Sequence, residues 1–138
     1  MTDALTVQGL SKAFGGVQAV DDVSFSVEAG KLRAMIGPNG AGKTTCFNML
    51  NGQLRPDSGS VVLEGQSLIG MTPREVWRLG VGRTFQITAT FGSMTVLENV
   101  QMTLLSYHHR ALSAGDLVRN LYVEQAMTLL ERVGMASQ

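Results

Sequence analysis

An α/β fold is predicted for this chain by three observations. The first third alternates apolar and polar residues with the period of half-buried strands. A glycine-rich loop then joins a short apolar stretch to a segment free of glycine and proline. The second half carries two capping-box signals for helix starts.

Taken in order, Leu5-Thr6-Val7 and Val23-Ser24-Phe25-Ser26-Val27 are the alternating strands, and Asp21-Asp22 and Glu28-Ala29-Gly30 mark turns around the second. Residues 32–36 are largely apolar and lie between Gly30 and Gly37, which reads as a buried strand. Residues 43–51 read as a helix that stops at Gly52. Arg55-Pro56-Asp57-Ser58-Gly59 is a turn, because Pro56 presets φ and Asp57 can bond locally, and residues 60–63 follow as a strand ending at Gly65. Thr72-Pro73-Arg74-Glu75 combines an N-cap, proline at the first helical position and a capping glutamate, for a helix ending at Gly80. Thr95-Val96-Leu97-Glu98 repeats the box and opens a helix toward His109. A break at Ser113-Ala114-Gly115 precedes a third helix, in which Leu117, Leu121, Met127, Leu130 and Val133 share an apolar face closed by Gly134.

The bulk numbers narrow the function classes. With 138 residues, of which 44% are hydrophobic, one domain with a single core is expected over 1–138. Lysine plus arginine number 11, as do the acids, so the net charge is zero and no basic run points to nucleic acid. The start of the chain carries Asp3 and no positive region, against a secretory signal, and no stretch approaches the ~18 apolar residues of a membrane span. The single cysteine, Cys46, has no partner for an internal disulfide, which suits a reducing compartment; it is expected in the core.

The most informative run is Gly37-Pro38-Asn39-Gly40-Ala41-Gly42-Lys43-Thr44, continued by Thr45. It fills every fixed position of the phosphate-binding pattern Gly-x-x-x-x-Gly-Lys-Ser/Thr, between an apolar stretch and a helix start. Gly37, Gly40 and Gly42 let the backbone curl around an anion and turn its N–H groups inward. The helix N-terminus adds unpaired N–H groups and the positive end of its dipole. Lys43 supplies an ammonium for the outer phosphates, the Thr44 hydroxyl is placed to ligate Mg²⁺, and Thr45 offers a further hydroxyl to an inner phosphate. Farther on, Gly82-Arg83-Thr84-Phe85-Gln86 is followed by residues 87–93 without a charge. Gln86 can reach a metal-bound water or a phosphate oxygen and withdraw when its loop moves; taken alone it is an ordinary loop glutamine.

Four segments in this order resemble the ATP-binding subunit of ABC transporters, and most closely the branched-chain amino-acid uptake group. They are Phe14-Gly15-Gly16 with Ala19-Val20, the loop from Gly37 to Thr45, Arg83-Thr84-Phe85-Gln86, and Met94-Thr95-Val96-Leu97-Glu98-Asn99-Val100. The resemblance implies a P-loop NTPase fold with an N-terminal antiparallel β subdomain. It implies ATP and Mg²⁺ as cofactors, with Phe14 stacked on adenine, Val20 packed beside the base, and Gln86 sensing γ-phosphate, Mg²⁺ and water. Without it, Phe14 would read as a core residue. It further implies membrane-spanning permease subunits that dock on the stretch beginning at Ile87 and closing at Val100, and a second ATP-binding subunit as dimer partner. The place of such a subunit is cytoplasmic, peripheral on the inner face of the cell membrane.

The chain also departs from the pattern. It holds no Ser-Gly-Gly signature and no apolar strand ending in Asp-Glu, and His108 and His109 lie late in a helix as surface residues rather than in a switch. The expectation is an N-terminal part of an ABC-type nucleotide-binding domain, truncated before the signature helix and the Asp-Glu strand, whose parent protein hydrolyses ATP to drive import. The alternatives are a non-hydrolysing nucleotide-binding module and a small P-loop kinase. The kinase reading requires lid arginines, whereas Arg74, Arg78, Arg83, Arg110, Arg119 and Arg132 mostly fall on helix faces and the reading leaves Arg83 to Gln86 unexplained.

Overall fold

The strand alternation runs well beyond the two short stretches named above. In the computed structural model, which describes residues 3–84, 90–108 and 121–135, β1 (Asp3–Phe14) and β2 (Val17–Glu28) form a long antiparallel hairpin. Phe14 pairs with Val17 across Gly15 and Gly16, whose φ angles of 51° and 86° are those of a primed two-residue turn. The sequence period hides this length because the register shifts between Val7 and Leu10 and again on either side of Lys12.

Two compact units make up the chain, Met1–Thr84 and Phe85–Gln138. In the first, β1 is central: β3 (Ser58–Leu63) pairs on its other side and β4 (Gln66–Ser67) completes the order β2-β1-β3-β4. Gly59 is required where β3 crosses β1, since a Cβ there would lie 2.5 Å from the Gly9 carbonyl oxygen. Val7, Leu10, Val20 and Val61 from the sheet close a core with Cys46 and Met49 of α1 (Lys43–Leu50), Leu68, and Val76 of α2 (Pro73–Arg78). Each such side chain contributes about 1.5–3 kcal/mol on burial, so this cluster fixes α1, and the loop before it, against the sheet. Both halves of the α2 capping box are present: Glu75 N–H donates to Thr72 Oγ1 at 3.4 Å and Thr72 N–H to Glu75 Oε2 at 2.8 Å. That backbone bond holds the Glu75 carboxyl below the usual carboxylate range.

In the second unit α3 (Val96–Tyr107) starts with the same box, from Thr95 and Glu98, and packs on α4 (Val123–Arg132). Leu105, Ala126 and Leu130 are buried there, and the buried Gln101 donates from Nε2 to the Leu121 carbonyl at 2.7 Å, tying α3 to the entry of α4. Val133, expected on the buried face, is 67% exposed because α4 ends at Arg132 and Gly134 turns the chain at φ 73°. His108 is exposed, as expected, and stacks on Tyr122 at 4.8 Å between centroids. Ser113, Ala114, Gly115, Leu117 and His109 lie outside the described residues.

The buried strand expected at 32–36 is a correction. The segment joins no strand among the described residues, and Leu32 and Ile36 are 100% and 91% exposed. The apolar run is real, but burial needs a partner surface, and β1 already has β2 and β3 on its two edges. An open apolar groove lined by Leu5, Phe25, Met35 and Phe47 adjoins the segment. Bare apolar side chains beside backbone with no strand partner invite intermolecular strand addition. The purified 138-residue chain is therefore expected to self-associate in a concentration-dependent way, and Leu32→Lys with Ile36→Lys to suppress it, as read by light scattering. A monodisperse wild type with a concentration-independent melting transition would count against this.

Candidate functional site

The glycine loop folds as its composition dictates. Gly40 and Gly42 sit at φ 85° and 77°, conformations that cost an L side chain about 1–2 kcal/mol each. Ala41 N–H donates to the Pro38 carbonyl at 3.2 Å, which closes the turn, and a Cβ on Gly37 would come 3.2 Å from that of Ala41. Gly42 is the N-cap of α1 and has no side chain to cap it, while Cys46 N–H makes the first full helical bond, to the Gly42 carbonyl at 2.8 Å. With no acid in its first turn, α1 presents a positive, uncapped end at Lys43 to Thr45.

Lys43 lies across the loop. Its ammonium donates to the carbonyls of Gly37 and Pro38 at 2.7 and 2.6 Å, so the charge is pinned to the start of the loop. Thr44 is exposed and Thr45 half-buried, Pro38, Asn39 and Ala41 are exposed, and one turn along Cys46 is buried, where desolvation pushes its thiol above the ordinary range. Cys46 is thus the core residue expected.

The hairpin brings β2 against this loop. A Cβ on Gly42 would lie 2.1 Å from the Ala19 carbonyl oxygen and 3.3 Å from Val20 Cγ2. Val20 is itself buried, packing beneath the loop. Val17, three positions before Val20, is the pairing partner of Phe14, which stands at the hairpin tip and is 49% exposed.

Two polar clusters had no signal in the sequence. Arg83 donates from Nη1 to Asn48 Oδ1 of α1 at 2.6 Å and to Gln53 Oε1 at 3.2 Å, clamping the end of the first unit to the helix after the loop. Asp57, expected to bond locally within its turn, binds instead Lys12 and the Ala13 N–H beside Phe14. Both pairings join residues some thirty to forty-five positions apart, beyond the reach of any local pattern. Gln86 and Ile87 lie outside the described residues. Among the described residues, no three acidic, histidine or cysteine side chains gather as a metal cluster. None of the described helices is long and apolar enough to cross a membrane.

The profile of one family, described as ABC transporter, matches residues 20–138. The chain belongs to the ABC transporter family. Among curated members, it is 38% identical over 142 residues to the high-affinity branched-chain amino acid transport ATP-binding protein LivG of Escherichia coli (strain K12), an alignment covering 95% of this chain and 54% of that protein. It is 42% identical over 131 residues to the corresponding ATP-binding protein BraF of Pseudomonas aeruginosa, covering 95% of the chain and 49% of that protein. Among solved structures, the ADP conformation of an ATP-binding cassette of an ABC transporter superposes with a TM-score of 0.80 at 32% identity, over 99% of this chain and 56% of the other. The chain thus spans about half the length of the relatives it matches. ABC membership accounts for the strand-rich first unit and the glycine loop, and the P-loop NTPase class with its antiparallel β subdomain stands.

Proposed function

We propose that this chain binds ATP or ADP with Mg²⁺ between Phe14 and the loop from Gly37 to Thr45, as the nucleotide-binding part of a subunit that energises branched-chain amino-acid import. The observation that carries this reading is the uncapped, acid-free N-terminus of α1 with the Lys43 ammonium held across the loop in front of it. Phosphate oxygens there receive the loop and helix N–H groups and compete for Lys43 with two neutral carbonyls. The exposed Thr44 hydroxyl would hold Mg²⁺ beside the phosphates, with Gln86 as the second residue assigned to the ion. When bound, the ion neutralises charge between the outer phosphates. Gln86 is assigned the sensing of γ-phosphate and Mg²⁺, and Val20 supports the base side of the site through packing.

The solute class comes from the printed names of the relatives. The second unit carries Phe91, Met94 and Val96 exposed around a turn that Asn99 holds, donating from Nδ2 to the carbonyls of Phe91, Met94 and Thr95. Such a firm, apolar knuckle suits a docking helix from a permease subunit, with the ATP-binding subunit on the cytoplasmic face and paired with a second ATP-binding subunit.

Calorimetry of the purified chain with Mg-ATP and Mg-ADP tests the reading. Binding is expected for both, and Phe14→Ala should weaken it by about 1–3 kcal/mol through lost stacking. Phosphate release should stay at solution background, because the sequence holds no Ser-Gly-Gly signature and no apolar strand ending in Asp-Glu. Absence of nucleotide binding would overturn the proposal.

A further inference from the structure

The ladder between β1 and β3 ends at the pair Ser11 and Ser58, three residues short of Phe14. Beyond it, residues 12–14 have β2 as their strand partner and lead into Gly15 and Gly16, both of the residue type least able to hold a tip in place. Asp57, one position before Ser58, takes over where the backbone pairing stops. Its N–H donates to the Ser11 carbonyl at 2.9 Å. Its Oδ2 accepts the Ala13 N–H at 2.8 Å and its Oδ1 the Lys12 ammonium at 2.6 Å. One residue thereby grips three consecutive positions of β1. The Lys12 ammonium held in this way stands 5.7 Å from the centroid of the Phe14 ring.

We propose that Asp57 is a positioning residue for the nucleotide base: by fixing residues 11–13 and the Lys12 ammonium, it sets the Phe14 ring as a preformed platform without touching the phosphates. This rests on the nucleotide-binding reading above. The Lys12 hydrogen bond, and then that from Ala13, hold the Asp57 carboxyl below its ordinary range, in keeping with a carboxylate engaged as an anion. The ion pair itself is half exposed on the Asp57 side and contributes little to overall stability, so the consequence of the cluster is local order at the hairpin tip. A platform already held still when a base arrives costs no ordering at that moment, and the gain appears as affinity.

The test separates base from phosphates. Binding of Mg-ATP and of Mg-tripolyphosphate, which carries the phosphates and no base, is measured on the wild-type chain, Asp57→Ala, Asp57→Asn, Phe14→Ala and the Asp57→Ala/Phe14→Ala double variant. Asp57→Ala is expected to weaken ATP about threefold to tenfold, a part of the stacking contribution, and to leave tripolyphosphate unchanged. Asp57→Asn, which keeps an acceptor for the Ala13 N–H and loses the charge for Lys12, should fall between Asp57→Ala and wild type. In the Phe14→Ala background, loss of Asp57 should have no further effect on ATP. Equal losses for ATP and tripolyphosphate would overturn the proposal, because they would mean general damage to the loop. Additive losses in the double variant would overturn it too. A wild-type chain that binds tripolyphosphate as tightly as ATP removes the base platform alone, whereas one that binds neither removes the nucleotide reading and this inference with it.

Discussion

Lys43→Ala is expected to abolish measurable nucleotide binding. The ammonium is the one charge the loop and the start of α1 bring to the phosphates, and it is already placed by two carbonyls at 2.7 and 2.6 Å. Moving from neutral carbonyls to phosphate oxygens converts those bonds into pairs between full charges, which adds Coulomb attraction to the charge-assisted hydrogen bond. Alanine removes that gain and leaves the helix end and loop N–H groups to hold a polyanion alone. The lysine is half-buried and contributes no core surface, so thermal unfolding of Lys43→Ala without nucleotide should match wild type. Calorimetry with Mg-ATP provides the readout, and affinity within a fewfold of wild type would remove the site from this loop.

Gly42→Ala is expected to be the most destabilising substitution in the loop. The new methyl would stand 2.1 Å from the Ala19 carbonyl oxygen and 3.2 Å from its carbon, both backbone atoms of β2 that a rotamer change cannot clear. To that overlap is added the left-handed φ of 77°. Steric strain of about 1–3 kcal/mol and a conformational cost of about 1–2 kcal/mol sum to a loss of several kcal/mol, a large share of a small domain's stability. Gly40→Ala isolates the second cost: its φ is 85°, but an added methyl meets nothing within 4 Å. Denaturant unfolding of the two variants side by side is decisive. If Gly42→Ala unfolds no more readily than Gly40→Ala, β2 does not brace the loop.

What was legible in the sequence is what chemistry decides locally. Thr72 and Thr95 announce their helices because a capping box needs only four consecutive residues, and both form with the predicted partners. The phosphate loop is legible for the same reason, its glycines being demanded one by one by the backbone. Strand length was not legible in β1 and β2, since register shifts near Leu10 and Lys12 break the alternation that a reader counts. Residues 32–36 misled because apolarity states that a segment needs cover, without saying which surface provides it. The Asp57 and Arg83 clusters were silent, since each joins positions that only the finished sheet brings together.

The central position of β1 also fixes an order of assembly. Its hairpin with β2 closes through two glycines, a microsecond event that involves nothing else in the chain. Its pairing with β3 joins Leu5 to Leu63, roughly sixty residues apart, and closing so long a loop is slow. The entire phosphate cradle and α1 are threaded between those two partners. A growing chain therefore samples the hairpin that carries Phe14 well before the glycine loop is braced against β2. On the proposed reading, nucleotide recognises only the closed loop, so it does not guide collapse and acts instead as a latch on a structure already built.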